Sequence, residues 1–271
     1  MQFIKKLGQN FLTNKAALSK IVAALEIKKG EIIIEIGAGS GNLTLEILKI
    51  ADKVIAIEKD RKWIEELKIK VQPRRQRVGA PTEASENPKV KIIEADVRDV
   101  LPEITKNLLH CKIIGNVPYY LTGRLLRIFQ ELKNPPKLII LTLQKEVVER
   151  IAAQAPKMNK LSAIINLWAK PKILFHLKPR DFYPAPKVSS SVIKLEVFPK
   201  SQRQKNEGRL IALIKIGFEQ PRKTLLNNLS RKFPKETVLN ALRALNLDER
   251  TRPQELDKEL WIKLAKIIPC F

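Results

Sequence analysis

Four consecutive residues, Asn116-Val117-Pro118-Tyr119, carry the most specific chemistry in this 271-residue chain. An asparagine side-chain oxygen accepts hydrogen bonds, and a proline ring fixes the backbone that presents the neighbouring carbonyl. Two such oxygens suit an exocyclic amine, a poor nucleophile because its nitrogen lone pair is delocalised into an aromatic ring. Accepting both amine hydrogens localises the lone pair and favours a tetrahedral nitrogen in the transition state. No strong base is needed, because the proton becomes acidic once the nitrogen has gained a carbon. Tyr119 can stack on an unstacked base, an interaction of roughly 1–3 kcal/mol. A proline turn with a packed tyrosine is the plainer reading of the same residues.

A second constellation lies upstream. Glu35-Ile36-Gly37-Ala38-Gly39-Ser40-Gly41 ends an apolar run and opens a helical pattern. Glycines there allow a tight turn and close approach of the backbone to a ligand. The dinucleotide pattern G-x-G-x-x-G is not met, since the third glycine comes one place early and position 42 is Asn. The form acidic-x-Gly-x-Gly-x-Gly resembles instead the turn of S-adenosylmethionine-dependent methyltransferases. Glu58 follows Gly37 by 21 residues and ends the next strand, where a carboxylate can accept both hydroxyls of a ribose. Asp96 ends the strand after that and could meet an adenine amine. Either acid alone could equally cap the helix that follows. A base stacked in a duplex cannot reach such a pocket, so a nucleic-acid substrate would have to be flipped out or single-stranded. Phe182, before Tyr183-Pro184, could form a second face of an aromatic clamp or be a core aromatic beside a proline turn.

The elements that must hold these residues alternate. Asn14 can cap a helix carrying Ala17, Leu18, Ile21, Val22 and Leu25. Strands are expected at 31–36, 53–57, 90–95, 111–115 and 137–143, and helices at 42–49, 60–70, 122–132 and 145–154. Strands that are apolar throughout, alternating with helices, imply a parallel sheet covered on both faces. Such sheets bind ligands beyond the carboxyl ends of their strands. Residues 72–89, with Pro73, Arg74, Arg75, Arg77, Gly79, Pro81 and Pro88, read as a polar loop. Around Leu161 a helix with Ile164, Ile165 and Trp168 precedes two strand-like runs, 172–177 and 188–197, which could pair at the sheet edge. Beyond Phe198-Pro199-Lys200 the pattern is helical to the end, with 16 Lys and Arg against 8 Asp and Glu from residue 200 onward.

The whole chain carries 51 Lys and Arg against 28 Asp and Glu, a net charge of +23. No fold requires that excess; it repels itself and attracts polyanions, and nucleic acid is the first partner to consider. Two cysteines, Cys111 and Cys270, cannot make a disulfide framework, and no zinc-ligand spacing accompanies them, so no metal site is expected. There is neither a signal-peptide core nor an apolar run of membrane-spanning length. A cytoplasmic protein that neither enters nor spans a membrane is expected, acting as a monomer.

In order along the chain, Gln9-Asn10-Phe11-Leu12, the Glu35–Gly41 turn, Asn116-Val117-Pro118-Tyr119, Gln144-Lys145-Glu146, Phe182-Tyr183-Pro184 with Pro186-Lys187-Val188, and Arg222-Lys223-Thr224-Leu225 with Asn227-Asn228-Leu229 resemble the ribosomal RNA adenine N6-dimethyltransferases. The small-subunit branch of that family is the most similar. The resemblance implies an α/β fold: a Rossmann-like class I S-adenosylmethionine-dependent methyltransferase domain, placed at 1–198, and a small C-terminal helical RNA-binding domain, placed at 199–271. It implies S-adenosyl-L-methionine as cofactor, bound by Asn10, Leu12, Gly37, Glu58, Asp96 and Asn116. Catalysis would rest on Asn116, the Pro118 carbonyl, Tyr119 and Phe182. The implied reaction dimethylates two adjacent adenosines in the 3′-terminal hairpin loop of 16S rRNA, in the small ribosomal subunit or its precursor. Arg222, Lys223, Arg231 and Lys232, with Arg74, Arg75 and Arg77 in the 72–89 loop, are candidate phosphate contacts.

The sequence departs from the family pattern at Ala38, at Asn159-Lys160, at Ala185 and at Ser189, and the 72–89 stretch looks like an insertion. Three other readings compete: a large-subunit adenine methyltransferase, a non-catalytic ribosome-assembly factor on the same fold, and a DNA adenine methyltransferase. No separate DNA-recognition domain is apparent.

Overall fold

The computed structural model describes residues 10–72 and 87–268. Gln9, Arg74, Arg75, Arg77 and Cys270 lie outside the described residues. The chain divides into two units: one comprises residues up to Val148 together with Lys172–Val197, the other Glu149–Pro171 together with the residues from Phe198 onward.

The first unit opens with β1 (Phe11–Leu12) and α1 (Lys15–Ala23), whose start is capped by the Asn14 side chain accepting from the Ala17 amide. There follow β2 (Ile32–Ile36), α2 (Asn42–Ile47), β3 (Lys53–Glu58), α3 (Arg61–Val71), β4 (Val90–Glu94), α4 (Val97–Lys106), β5 (Cys111–Asn116), α5 (Thr122–Glu131), β6 (Leu138–Gln144) and the first half of α6 (Lys145–Ala152), which the boundary at Glu149 divides. β7 (Ala169–Leu177), β8 (Phe182–Tyr183) and β9 (Ser190–Val197) complete the strands. Seven of them form one sheet in the order β4-β3-β2-β5-β6-β9-β7. The pairs β4–β3, β3–β2, β2–β5 and β5–β6 are parallel, and β6–β9 is antiparallel. This is the Rossmann-like architecture the resemblance implies. Strands β2, β5 and β6 are almost wholly buried because helices cover both faces, which is why they read as unbroken aliphatic runs.

β2 is the pivot. Ile36 lies opposite Ile57 of β3 on one side and Gly115 of β5 on the other, and the chain runs outward from β2 in both directions. A crevice therefore opens beyond the carboxyl ends of β2 and β5, where the strand order reverses. Gly115 permits that approach: a Cβ there would lie 2.7 Å from the Ile36 carbonyl oxygen, which as backbone cannot swing aside. A buried ion pair, Lys112 Nζ to Glu31 at 2.6 Å, fastens the opposite end of the sheet, with the same ammonium donating to the Leu25 and Glu26 carbonyls.

Two features differ from the sequence expectation. Helix α4 was not anticipated between the third and fourth strands of the pattern; Pro102 interrupts its donor series, yet Val97, Leu101 and Thr105 recur at helical spacing and are buried. The two edge runs are neighbours, but β9 sits inside β7, and the segment between them supplies β8, which pairs antiparallel with β1.

The second unit contains α7 (Lys160–Trp168), α8 (Glu207–Gly217), α9 (Leu225–Leu229), α10 (Lys235–Ala244) and α11 (Lys258–Ile267). Leu210, Leu213, Ile214, Phe218, Leu242 and Trp261 anchor its core. The departure at Asn159 supplies a cap: its side chain accepts from the Leu161 and Ser162 amides while Ser162 Oγ accepts from the Asn159 amide. Buried Asn228 binds the Gln220 amide and carbonyl and the Thr224 carbonyl, fixing the turn that leaves Arg222 and Lys223 exposed. Among the described residues no helix is long and apolar enough to cross a membrane.

Candidate active site

A cavity of about 380 Å³ opens at the pivot. Its walls are the ends of β2, β3, β4 and β5, contributing Gly37, Glu58, Asp96 and Asn116, closed by Asn10 and Phe11 and by the stretch Val117–Leu121. The volume falls within the roughly 300–1,000 Å³ typical of cofactor and substrate pockets.

The glycine turn forms the floor. Gly37, Gly39 and Gly41 take φ of 69°, 50° and 78°. A Cβ on Gly39 would meet the Phe11 ring at 2.6 Å, so the bare backbone is what lets that ring close over the turn. Phe11 in turn packs on Trp63, ring centroids 4.5 Å apart. Glu35, on β2 beneath the turn, is buried; its Oε2 accepts from the Thr44 hydroxyl at 2.6 Å and its Oε1 has no partner. Burial pushes this carboxyl up to about 8, the Thr44 hydrogen bond opposing the rise and the Glu58 carboxylate adding to it.

Glu58 is organised by backbone. Oε2 accepts from the Gly39 amide at 2.8 Å, and Oε1 accepts from the Lys59 and Asp60 amides at 2.8 and 2.9 Å. A carboxylate offers about four lone-pair sites, so three amides leave capacity on Oε2. Asp96 is held differently. Its Oδ1 caps α4 through the Arg98 amide and also takes Arg98 Nε, while Oδ2 takes Arg98 Nη2 at 2.6 Å and Lys59 Nζ at 3.1 Å. The Arg98 guanidinium holds this carboxyl well below the usual carboxylate range. Lys59 is exposed, so its contact is the one an incoming donor displaces at least cost.

Asn116 is oriented by the N-terminal segment. Its Nδ2 donates to the Asn10 carbonyl at 2.7 Å. A carbonyl only accepts, so this contact fixes which end of the amide is engaged and leaves Oδ1 as the acceptor. The Pro118 carbonyl accepts from the Leu121 amide at 2.9 Å, which uses one of its two lone pairs. Tyr119 lines the cavity with its hydroxyl 2.8 Å from Ser190 Oγ, a side chain fully buried at the start of β9. The structure thus brings together an amide oxygen, a carbonyl and an aromatic ring beside two carboxylates, the set an exocyclic amine and a nucleoside-bearing cofactor require.

Two expected residues stand apart. Leu12 is buried outside the lining of this cavity; its carbonyl accepts from Asn42 Nδ2 at 3.0 Å, so it contributes to the shape of the turn. Phe182, opposite Leu12 in the β1–β8 ladder, is 4% exposed and packs in the core of the unit, away from the cavity lining. Phe11, Lys59, Tyr120 and Ser190 are site residues that the sequence reading left without a role. Phe11 lies within the Gln9–Leu12 motif and Tyr120 adjoins Tyr119, but the pairing that brings Ser190 to Tyr119 spans 71 residues and has no local signal. Among the described residues no cluster of His, Cys, Asp and Glu could hold a metal ion.

A family model described as ribosomal RNA adenine dimethylase matches residues 1–269. Ribosomal RNA small subunit methyltransferase A of Dehalococcoides mccartyi is 34% identical over 266 residues, covering 96% of this chain and 87% of the relative. Among solved structures, a dimethyladenosine transferase from Plasmodium falciparum superposes with a TM-score of 0.74 at 27% identity, over 94% of this chain and 95% of that one. The 23S rRNA methyltransferase ErmE superposes with a TM-score of 0.76 over 95% of this chain and 99% of that one, but at 19% identity it speaks only to the fold.

Proposed function

From the premise that this chain belongs to the ribosomal RNA adenine dimethylase family, we propose that it dimethylates the N6 amine of two adjacent adenosines in the 3′-terminal hairpin loop of 16S rRNA, using S-adenosylmethionine. The observation that carries the reading is the oriented amide of Asn116, with Oδ1 left to accept beside the Pro118 carbonyl and the Tyr119 ring.

The residues present fit the cofactor. Gly39 gives a floor that a Cβ would obstruct, Glu58 Oε2 has capacity for a ribose hydroxyl, and Asp96 takes an adenine amine in place of Lys59. When bound, the cofactor supplies a methyl group on a sulfonium, an electrophile that needs no further activation. The Tyr119 ring stacks on the target adenine. Asn116 Oδ1 and the Pro118 carbonyl each accept one hydrogen of the N6 amine, restoring its lone pair to nitrogen. After transfer the nitrogen is cationic and its proton passes to water; in a second cycle the monomethylated amine has one hydrogen left, which one of the two oxygens accepts while the second methyl is transferred. The helical unit, with Arg222 and Lys223 exposed, contributes phosphate contacts, and RNA affinity falls steeply with salt. The enzyme acts as a monomer in the cytoplasm, on the small subunit or its precursor.

The test is methyl transfer from labelled S-adenosylmethionine to small and large subunits isolated from a strain lacking the small-subunit enzyme, followed by nucleoside analysis. Dimethyladenosine in 16S rRNA alone is expected. Label in 23S rRNA would move the chain to the large-subunit branch. RNA binding with no label would make it an assembly factor. Asn116→Ala should lower kcat by 100-fold or more, about 3 kcal/mol, with little change in cofactor Kd; equal losses in both would remove its assigned role.

A further inference from the structure

The chain has three tyrosines; two line the cavity and the third is paired with Phe11, which also lines it. Tyr119 is inside the cavity, its hydroxyl locked to Ser190. Tyr120, next in sequence, lines the mouth and is 66% exposed. Tyr183 is 60% exposed and lies directly opposite Phe11 in the β1–β8 ladder. Opposed residues of an antiparallel pair project to the same face, so Tyr183 stands beside the ring that closes the cavity floor. A single exposed aromatic is ordinary, but two of them near one cavity make a candidate binding surface. Here it is bracketed by cations: Lys178, Arg180 and Lys187 are exposed on the turns flanking Tyr183, and Arg98 neighbours Tyr120. Exposed aromatics interleaved with basic side chains are how proteins hold unpaired nucleotides.

Resting on the functional reading above, we infer that Tyr120 and Tyr183 are stacking platforms for the unpaired nucleotides on either side of the target adenosine, whose base stacks on Tyr119 inside. Three aromatic faces then grip three consecutive bases, one in the cavity and one at each rim. Recognition is of an open loop rather than of base edges, since each base has a π face and the tyrosines make no base-specific demand. The platforms also explain how one site serves two adjacent adenosines: when one is inside, the other is a rim nucleotide already stacked.

The test uses the full chain and a hairpin RNA carrying 2-aminopurine beside the target adenosine. Tyr183→Ala and Tyr120→Ala should each raise the KM for RNA about 5- to 150-fold, the equivalent of 1–3 kcal/mol per stacked base; Tyr183→Ala, outside the cavity lining, should leave cofactor Kd unchanged. The rim-base fluorescence, quenched on binding wild type, should stay bright. Tyr183→Phe should restore both readouts and Tyr183→Leu should not, which separates stacking from apolar packing. Leu109→Ala, at a remote exposed position, is the control and should change neither. Unchanged KM and quenching in both alanine variants of an active enzyme would overturn the platforms and leave the function standing. Failure of the wild type to methylate any rRNA would overturn the functional reading and the platforms with it.

Discussion

Replacing Glu35 with Gln should stabilise the protein at pH 8 and leave it unchanged at pH 4. The carboxyl is 1% exposed, with Thr44 donating to one oxygen and nothing to the other. Burial lifts it from an ordinary 4.5 to about 8. Unfolded, the group ionises near its ordinary value, so across that window the folded state keeps a proton the unfolded state has released. Stability therefore falls as pH rises, by about 1.4 kcal/mol per pH unit. Below the window both states are protonated and the contribution is fully present; above it both are ionised and the folded state carries a buried charge. Integration over the window gives a ceiling of ~5 kcal/mol. Gln keeps the shape and has no proton to lose. The variant should exceed wild type by about 2–4 kcal/mol at pH 8, allowing for relaxation around the charge. Guanidinium denaturation of both proteins at pH 4, 6 and 8 measures this, and taking the difference cancels every other titrating group. A gain that is absent at pH 8, or equal at pH 4 and pH 8, would refute the reasoning.

Gly39→Ala should weaken cofactor binding at least 10-fold by calorimetry, because a left-handed backbone costs a side chain about 1–2 kcal/mol and the Cβ displaces the Phe11 ring; unchanged affinity would mean that the ring yields freely. Ser190→Ala and Tyr119→Phe remove the same hydrogen bond, so each should cost about 3- to 10-fold in kcat/KM and the double variant no more than either. Additive losses would show that Ser190 does not act through Tyr119. Asn87 Nδ2 donates to the Val71 carbonyl at 2.8 Å, joining the two ends that flank residues 73–86. A short Gly-Ser linker in place of 73–86 should therefore keep Tm within ~3 °C, and a larger fall would show that those residues carry stability.

The first unit was legible in the sequence wherever a residue's neighbours in sequence decided its fate. Aliphatic runs ending in Gly37, Glu58 and Asn116 announced buried strands, and Asn14 and Asp60 announced helix starts; both side chains do cap, Asp60 through the Lys62 amide. Helix α4 escaped because Pro102 obscured a spacing that tertiary burial of Leu101 and Thr105 supports. What no local pattern carries is pairing at a distance. Two-residue strands such as β1 and β8 have no periodicity of their own. The burial of Phe182 follows from Leu12 lying opposite it. The same holds for the second unit, where Met158, Ala163 and Leu167 pack on Leu210 and its neighbours although a strand-rich stretch intervenes in sequence.

The fastening of Asn116 to the Asn10 carbonyl has a consequence in time. That bond closes a loop of 106 residues, the Thr13–Asp181 bond beside it closes one of 168, and Ser190 reaches Tyr119 only after β9 has been laid against β6. Closures of that length are slow and come late. During synthesis Asn10 emerges before the asparagine it holds, whereas Tyr119 emerges well before the Ser190 that anchors its hydroxyl. The anchor of the tyrosine is thus among the last contacts that synthesis makes available, since it waits for β9 to leave the tunnel.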